Sequence, residues 1–251
     1  MQLYFNLKKA KAQKTIDRGN IFNPADFYFT YSVSVEKNQS ETMLVRGFSR
    51  GCEIGHGYEM RSGQQRDFND PQFIVELPEL KKGEEKHVVI DLYCWESAGT
   101  SRLIKGYYSN AAVAKLLEIY DKNQENIKKA QDEFLKWFKS AAASAAMLAA
   151  PVAGAALPWI TLSSKALPLV ADGIIAIKKM SDAVPDDYVG LNTIHFFYRL
   201  ENKTIRFRWI VNDGIETWSS TETDIIHIAL PYQSGDNKLK LEASASFKVI
   251  P

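Results

Sequence analysis

Residues 27–36 read FYFTYSVSVE, and this stretch decides the predicted fold class. Its odd-numbered positions are all apolar or aromatic, whereas its even-numbered positions carry mostly hydroxyl groups and one carboxylate. Because successive side chains of a strand point to opposite faces, this period of two predicts a β-strand with one buried face. The aromatic and β-branched residues that fill the stretch are those that favour strands.

The same alternation recurs in eight further segments, on both sides of the middle of the chain. The sequence ENK at 201–203 predicts a tight turn that joins two of these segments as a hairpin. Because most of the segments follow one another without a helix between them, they predict antiparallel sheets packed as a sandwich. The segments are 1–8, 42–48, 72–77, 86–95, 193–200, 204–212, 226–230 and 239–249.

The middle of the chain follows a different period. Between residues 109 and 139 the apolar side chains recur every three or four positions, which predicts one long amphipathic helix. An uncharged stretch follows at 140–164, SAAASAAMLAAPVAGAALPWITLSS, in which ten of the 25 residues are alanine. We expect the helix to continue to residue 150, to turn between Pro151 and Pro158, and to return as a second helix over 159–177.

The predicted fold class is therefore α+β. Residues 1–104 and 186–251 form an antiparallel β-sandwich of about nine strands, and residues 105–185 form an inserted long α-helical hairpin with an apolar tip. A β domain, a separate α domain and a second β domain are the alternative, which would leave two short sheets with open edges.

The uncharged stretch indicates either a buried packing element or a segment that enters a lipid bilayer. Its two prolines argue against a single spanning helix, although the run exceeds the ~20 residues that such a helix needs. Residues 105–180 carry ten lysines and six acidic residues, a net charge of +4 that suits anionic headgroups. The candidates for membrane insertion are Met147, Leu148, Val152, Leu157, Trp159, Ile160 and Leu162, and those for headgroup contact are Lys136, Lys139, Lys165, Lys178 and Lys179.

These features predict a membrane-interacting, toxin-like effector, pore-forming or membrane-inserting, whose helical hairpin leaves a soluble β scaffold. In layout it is similar to the pore-forming colicins, which hide an alanine- and glycine-rich hairpin until release, although no motif is shared. The alternative is a non-enzymatic β-sandwich that binds a ligand or assembles as a homo-oligomer, with the hairpin as a packing element. A glycan or protein receptor would then contact Trp95, Tyr107, Tyr108, Arg206, Arg208 and Trp218.

Charge and motifs argue against other classes. The 31 basic and 30 acidic side chains leave a net charge of +1, without the basic surplus of a nucleic-acid-binding protein. No phosphate-binding loop, dinucleotide fingerprint, HExxH or GxSxG motif is present, so we expect no enzyme and no cofactor. Sites built from distant Ser, His and Asp residues stay open. The start MQLYFNLKKAKAQK lacks the order of a signal peptide, which predicts synthesis in the cytoplasm and leaves later release onto a target membrane open.

The cysteines and histidines indicate no metal site. Cys52, His56 and Glu59 lie within eight residues, but they lack the second ligand pair of a closed zinc site. Cys94 shares the apolar face of its strand, which predicts a buried thiol. The remaining histidines, His87, His195 and His227, fall at or inside predicted strands and are expected to be strand-face residues.

Overall fold

A computed structural model describes residues 1–15, 24–38, 41–48, 58–68, 73–97, 110–124, 126–138, 140, 160–163, 187–211, 217–220 and 225–250. These residues are mostly β-structure, arranged as two antiparallel sheets with two short helices.

The smaller sheet is built around the two ends of the chain. Its central strand β1 pairs along one side with β13, so that Gln2 lies opposite Ile250. Along its other side β1 pairs with two short strands in succession, β6 and β5. The sheet ends at β12, which pairs with β13. The strands are β1 (Gln2–Thr15), β5 (Gln65–Asp67), β6 (Phe73–Glu76), β12 (Ile226–Gln233) and β13 (Leu239–Ile250).

The larger sheet has the strand order β11-β10-β9-β7-β2-β3-β8, and β4 pairs with the start of β2. Its centre is formed by three long strands, β2, β7 and β9, whose apolar positions alternate as the sequence predicts. The strands are β2 (Ala25–Asn38), β3 (Glu41–Phe48), β4 (Tyr58–Met60), β7 (Glu85–Glu96), β8 (Ile160–Ser163), β9 (Asp187–Glu201), β10 (Thr204–Val211) and β11 (Thr217–Ser220).

The two sheets share one buried core. The ring of Phe247 in the smaller sheet lies 6.3 Å from the ring of Phe196 in the larger sheet, measured between centroids. Tyr232 and Phe29 make a second ring contact between the sheets at 5.8 Å. The described residues of the cluster between the sheets lie within 3–94 or 189–249, and the two helices bury further apolar side chains, such as Leu116 and Phe138. Two antiparallel sheets around one core are consistent with the predicted sandwich.

All nine predicted strands are present, and the predicted hairpin at 201–203 is confirmed. Asn202 and Lys203 have positive φ angles of 50° and 66°, the conformation that a two-residue turn between β9 and β10 requires. The described residues contain four further strands, β4, β5, β8 and β11, which have at most four residues each. Strands this short do not show a period of two.

The prediction of one long helix over 109–139 is wrong, because the chain forms two helices, α1 (Asn110–Lys122) and α2 (Ile127–Phe138). The amide nitrogen of Asn123 donates to the carbonyl oxygens of Ile119 and Tyr120, and Gln124 then takes a positive φ of 45°. Asn126 begins α2 as an N-cap, since its side-chain oxygen accepts from the amide of Lys129 at 3.0 Å. The signal present in the sequence was the asparagine itself, which is among the preferred N-cap residues.

The prediction of a return helix over 159–177 is wrong at residues 160–163, which form strand β8. This strand pairs with the edge of β3, with Ile160 opposite Leu44 and Ser163 opposite Glu41. The β-branched residues Ile160 and Thr161 favour a strand where a sheet edge offers free backbone groups. The long helical hairpin is thus absent from the described residues, and the rest of its predicted tip, at 141–159, lies outside them. No helix in the described ranges is long and apolar enough to cross a membrane.

Candidate functional site

The uncharged segment 141–159 is bracketed by two described anchors. On its N-terminal side, α2 buries Ala130, Phe134 and Phe138 on one face. The ring centroids of Phe134 and Phe138 lie 6.0 Å apart, and the amide of Ser140 closes the helix by donating to the carbonyl of Trp137 at 2.9 Å. On the C-terminal side, β8 is hydrogen-bonded to β3. Helix α1 contacts both β3 and β8, so the anchors belong to one body.

The structure describes only some of the residues that the sequence assigns to membrane contact. Lys136 is exposed in the last turn of α2, and Ile160 and Leu162 lie in β8 rather than in a helical tip. The other candidates lie outside the described residues: Met147, Leu148, Val152, Leu157, Trp159, Lys139, Lys165, Lys178 and Lys179.

A polar cluster that the sequence analysis missed lies on the face of the larger sheet opposite the core. The Nε2 atom of His87 on β7 is 3.1 Å from the Nδ1 atom of His195 on β9. Four residues further along β7, on the same face, the carboxylate of Asp91 accepts a hydrogen bond from the hydroxyl of Thr193 at 2.7 Å. It accepts a longer one, 3.5 Å, from the hydroxyl of Ser32. Two imidazoles and a carboxylate therefore line the β7–β9 boundary.

The cluster continues toward the sheet edge as a stack of three side chains. The rings of His87 and Phe197 are parallel within 3° and 4.2 Å apart, and the guanidinium of Arg208 lies 4.2 Å above the same Phe197 ring. Arg208 also forms an ion pair with Glu85 at 3.0 Å. The stack combines an aromatic contact with a cation–π contact, which holds His87 in one orientation.

The surroundings shift the proton affinities of this cluster. Partial burial, with His195 and Arg208 nearby, lowers the pKa of His87 from its ordinary value of 6.5 to about 4, so the imidazole is neutral at pH 7. Burial raises the pKa of Asp91, and the hydrogen bonds from Thr193 and Ser32 oppose that rise. Near neutral pH the His87–His195 contact joins one donor nitrogen to one acceptor nitrogen.

Within the described residues this cluster lacks the geometry of a nucleophile activated by a histidine. Ser32 bonds to Asp91, which has no histidine hydrogen bond of its own within the described ranges, so the cluster is not a Ser-His-Asp triad. No group of three or more metal-binding side chains occurs in the part of the chain that the structure describes. The alternation of side chains along each strand predicts that His87, Asp91 and His195 lie on the outer face. It does not predict that β7 and β9 are neighbours.

The residues predicted to bind a receptor fall into different environments. Trp95 is buried rather than exposed, with Tyr28 and Tyr93 beside it, and its Nε1 atom donates to the hydroxyl of Thr30 at 2.8 Å. Arg206 and Arg208 both lie on β10, where Arg206 pairs with Glu201 and Arg208 pairs with Glu85. Trp218 lies in β11, and Tyr107 and Tyr108 lie outside the described residues.

The prediction for Cys94 is confirmed, since its side chain is buried in the core. Cys52 and His56 lie outside the described residues, and Glu59 is exposed in β4. His227 is an exposed strand-face residue of β12, as predicted.

No protein-family model, no curated protein and no solved structure matches the chain.

Proposed function

We propose that this protein is a membrane-interacting, toxin-like effector whose β-sandwich carries the uncharged segment 141–159 as its working part. The observation that carries the proposal is the bracketing of this segment: it begins at the end of α2 and ends at β8, both of which are fixed to the fold. A segment held at both ends can enter a bilayer only as a hairpin, which suits its two prolines and its small residues.

The composition of the core supports a working part that is not needed for folding. The described residues of the cluster between the sheets lie within 3–94 and 189–249, and the sheets bury their aromatic rings against each other there. The two helices bury a separate set of side chains, which includes Leu116, Phe134 and Phe138. We propose that the apolar side chains of 141–159 serve another surface. The exposed Lys136 lies in the last turn of α2, five residues before the segment, and Lys128 and Lys129 are exposed in the first turn. Each basic residue near an anionic bilayer contributes about 1 kcal/mol of attraction.

Dye release from vesicles of phosphatidylserine and phosphatidylcholine tests the proposal. The wild-type chain should release the dye, at neutral or acidic pH, and a Leu148→Asp/Leu157→Asp variant should release much less. A charge at the centre of a membrane-inserted segment costs about 2.5–3.5 kcal/mol.

The matched control is Leu191→Asp/Ile225→Asp, which places the same two charges on side chains that are 38% and 53% exposed. Its leakage should equal that of the wild type. If the wild-type chain releases no dye at either pH, or if Leu148→Asp/Leu157→Asp retains full leakage, the proposal is wrong.

A second candidate is a non-enzymatic binding or assembly module, favoured by the Arg208–Phe197–His87 stack on the outer face of the larger sheet. Stacked arginine and aromatic side chains are typical of interface anchors. Light scattering across a concentration series tests whether the ligand is a second copy of the chain. The molar mass should double for the wild type and not for Arg208→Ala, and a monomer at every concentration would exclude the homo-oligomer.

A further inference from the structure

Lysines are concentrated on the face of the smaller sheet that points away from the core. Lys9, Lys11 and Lys14 lie on β1, and Lys240 and Lys248 lie on the neighbouring strand β13. In the register of the two strands, Lys14 is directly opposite Lys240, and Lys11 is opposite Glu242. The lysines therefore form a cross-strand group rather than a run along one strand.

Two irregularities in β1 increase the number of lysines that reach solvent. The register with β13 shifts between Leu7 and Lys9 and again between Ala12 and Lys14. A bulge places two consecutive residues against one partner, so that both of them can turn away from the core. Lys8 and Lys9 are both exposed as a result, whereas Leu7 and Ala10 on either side are buried.

Two exposed acids lie opposite the group in register, Asp67 across from Lys9 and Glu242 across from Lys11. Each accepts a hydrogen bond from a glutamine, Asp67 from Gln65 at 3.1 Å and Glu242 from Gln13 at 2.7 Å. The five lysines of the group outnumber these two acids. Lysines often protect the open edge of a sheet, but β1 is paired on both sides, so edge protection does not account for them.

An apolar row lies on the same face, near the start of β1. Tyr4 is opposite Lys248 on one side and Ile74 on the other. The side chain of Ile74 is 46% exposed, and Tyr4 is half-buried with its hydroxyl donating to Gln2 at 2.8 Å. Tyrosine beside an exposed aliphatic residue and lysines is the combination found at the headgroup level of a bilayer.

We propose that this face, defined by Lys8, Lys9, Lys11, Lys240, Lys248, Tyr4 and Ile74, docks the protein reversibly on anionic phospholipid headgroups. The proposal rests on the membrane function proposed above and assigns the first contact to the β framework rather than to the segment 141–159. The charge of the face complements phosphatidylserine, and its apolar row adds a shallow contact below the phosphates.

Vesicle co-sedimentation measures this docking separately from leakage. The variant Lys9→Gln/Lys11→Gln/Lys240→Gln removes three charges from the face, and at about 1 kcal/mol per lysine we expect its partition to phosphatidylserine vesicles to fall about a hundredfold. The matched control, Lys81→Gln/Lys82→Gln/Lys203→Gln, removes three exposed lysines from turns elsewhere and should bind like the wild type. Binding of the wild type should weaken as salt is added, because the contacts are exposed and screened.

The outcomes separate this inference from the proposed function. If the wild type binds through these lysines but releases no dye, the docking face is supported and the insertion proposal is wrong. If the face variant and the control bind equally, the inference is wrong, whatever the leakage. If soluble heparin binds the wild type more tightly than vesicles of equal charge, through the same lysines, the partner is a soluble polyanion and the assignment to a bilayer is overturned.

Discussion

At the scale of single residues, the behaviour of a side chain here is set by neighbours that are distant in sequence. His87 is an unremarkable strand residue in the sequence, but the fold places it against His195 and Phe197, 108 and 110 positions away. Its lowered pKa follows from burial first and from the charges of His195 and Arg208 second, with Glu85 opposing them. The same imidazole on an open strand would titrate near 6.5.

The pKa of His87 predicts a contribution to the pH dependence of stability. The unfolded chain binds a proton at His87 below about pH 6.5, whereas the folded protein does so only near pH 4. Stability from this residue is therefore present above pH 6.5 and is lost as the pH falls through that window. Urea unfolding at several pH values should show a shallower loss of the free energy of unfolding for His87→Gln than for the wild type.

The comparison needs a control because Asp91 shifts in the opposite direction. A raised carboxyl pKa favours the folded state at low pH, so the wild-type curve contains both effects, and only the difference between variants isolates His87. His227→Gln, an exposed histidine on β12, should leave the curve as it is in the wild type. Identical slopes for His87→Gln and the wild type would contradict the assigned cause.

At the scale of elements, the break between α1 and α2 shows how local capping competes with periodicity. Tyr120 and Ile127 keep the apolar spacing in phase across the four polar residues 123–126. Asn123 nevertheless donates through its side chain to the carbonyl of Ile119 at 2.7 Å and to the carboxylate of Glu133 at 3.0 Å. These bonds satisfy the end of α1 and connect it to α2. Two short helices that pack against each other thereby replace one long helix.

Two substitutions in this break are expected to change the free energy of unfolding in opposite directions. Asn126→Ala removes the N-cap of α2 and should lower the free energy of unfolding by about 1 kcal/mol. Gln124→Gly should raise it by up to about 1 kcal/mol, since glycine accepts a positive φ without strain. If these residues formed one continuous helix, Asn126→Ala would raise the free energy of unfolding and Gln124→Gly would lower it. The reason is that alanine is a better helix former than asparagine, and glycine a worse one than glutamine. Urea denaturation of both variants decides between two capped helices and one continuous helix.

At the scale of the whole molecule, the two ends of the chain build the framework together. β1 and β13 are neighbours along nearly their whole length, so the smaller sheet cannot form until the last strand has been synthesised. The larger sheet brings β7 and β9 together across more than ninety residues. Such long-range pairing is typical of slow folding.

This architecture predicts that the uncharged segment is dispensable for folding. Replacing residues 141–159 by glycine and serine, residue for residue, keeps the chain length and should change the free energy of unfolding by less than about 1 kcal/mol. The same variant should lose dye release. Loss of several kcal/mol, as expected when large apolar side chains are removed from a core, would show that the segment packs inside the fold. Near-ultraviolet circular dichroism checks that the fold is retained, and urea denaturation measures the free energy of unfolding.

The sequence by itself determined the local part of this fold. Alternation over residues 27–35 or 239–249 reflects burial of one strand face, and the ENK turn is specified by three adjacent residues, so both are legible without coordinates. The sequence also contained the cap at Asn126, although the long apolar period obscured it.

Only the tertiary structure decided which strands are neighbours. Strand β8 exists because the edge of β3 is available to Ile160–Ser163, and the contact between His87 and His195 exists because β9 returns beside β7. The lysines of β1 and β13 likewise form one group only through the pairing of the chain ends. The physical reason is the same in each case: periodicity records which face of a strand is buried, whereas pairing depends on backbone hydrogen bonds that any sequence can offer.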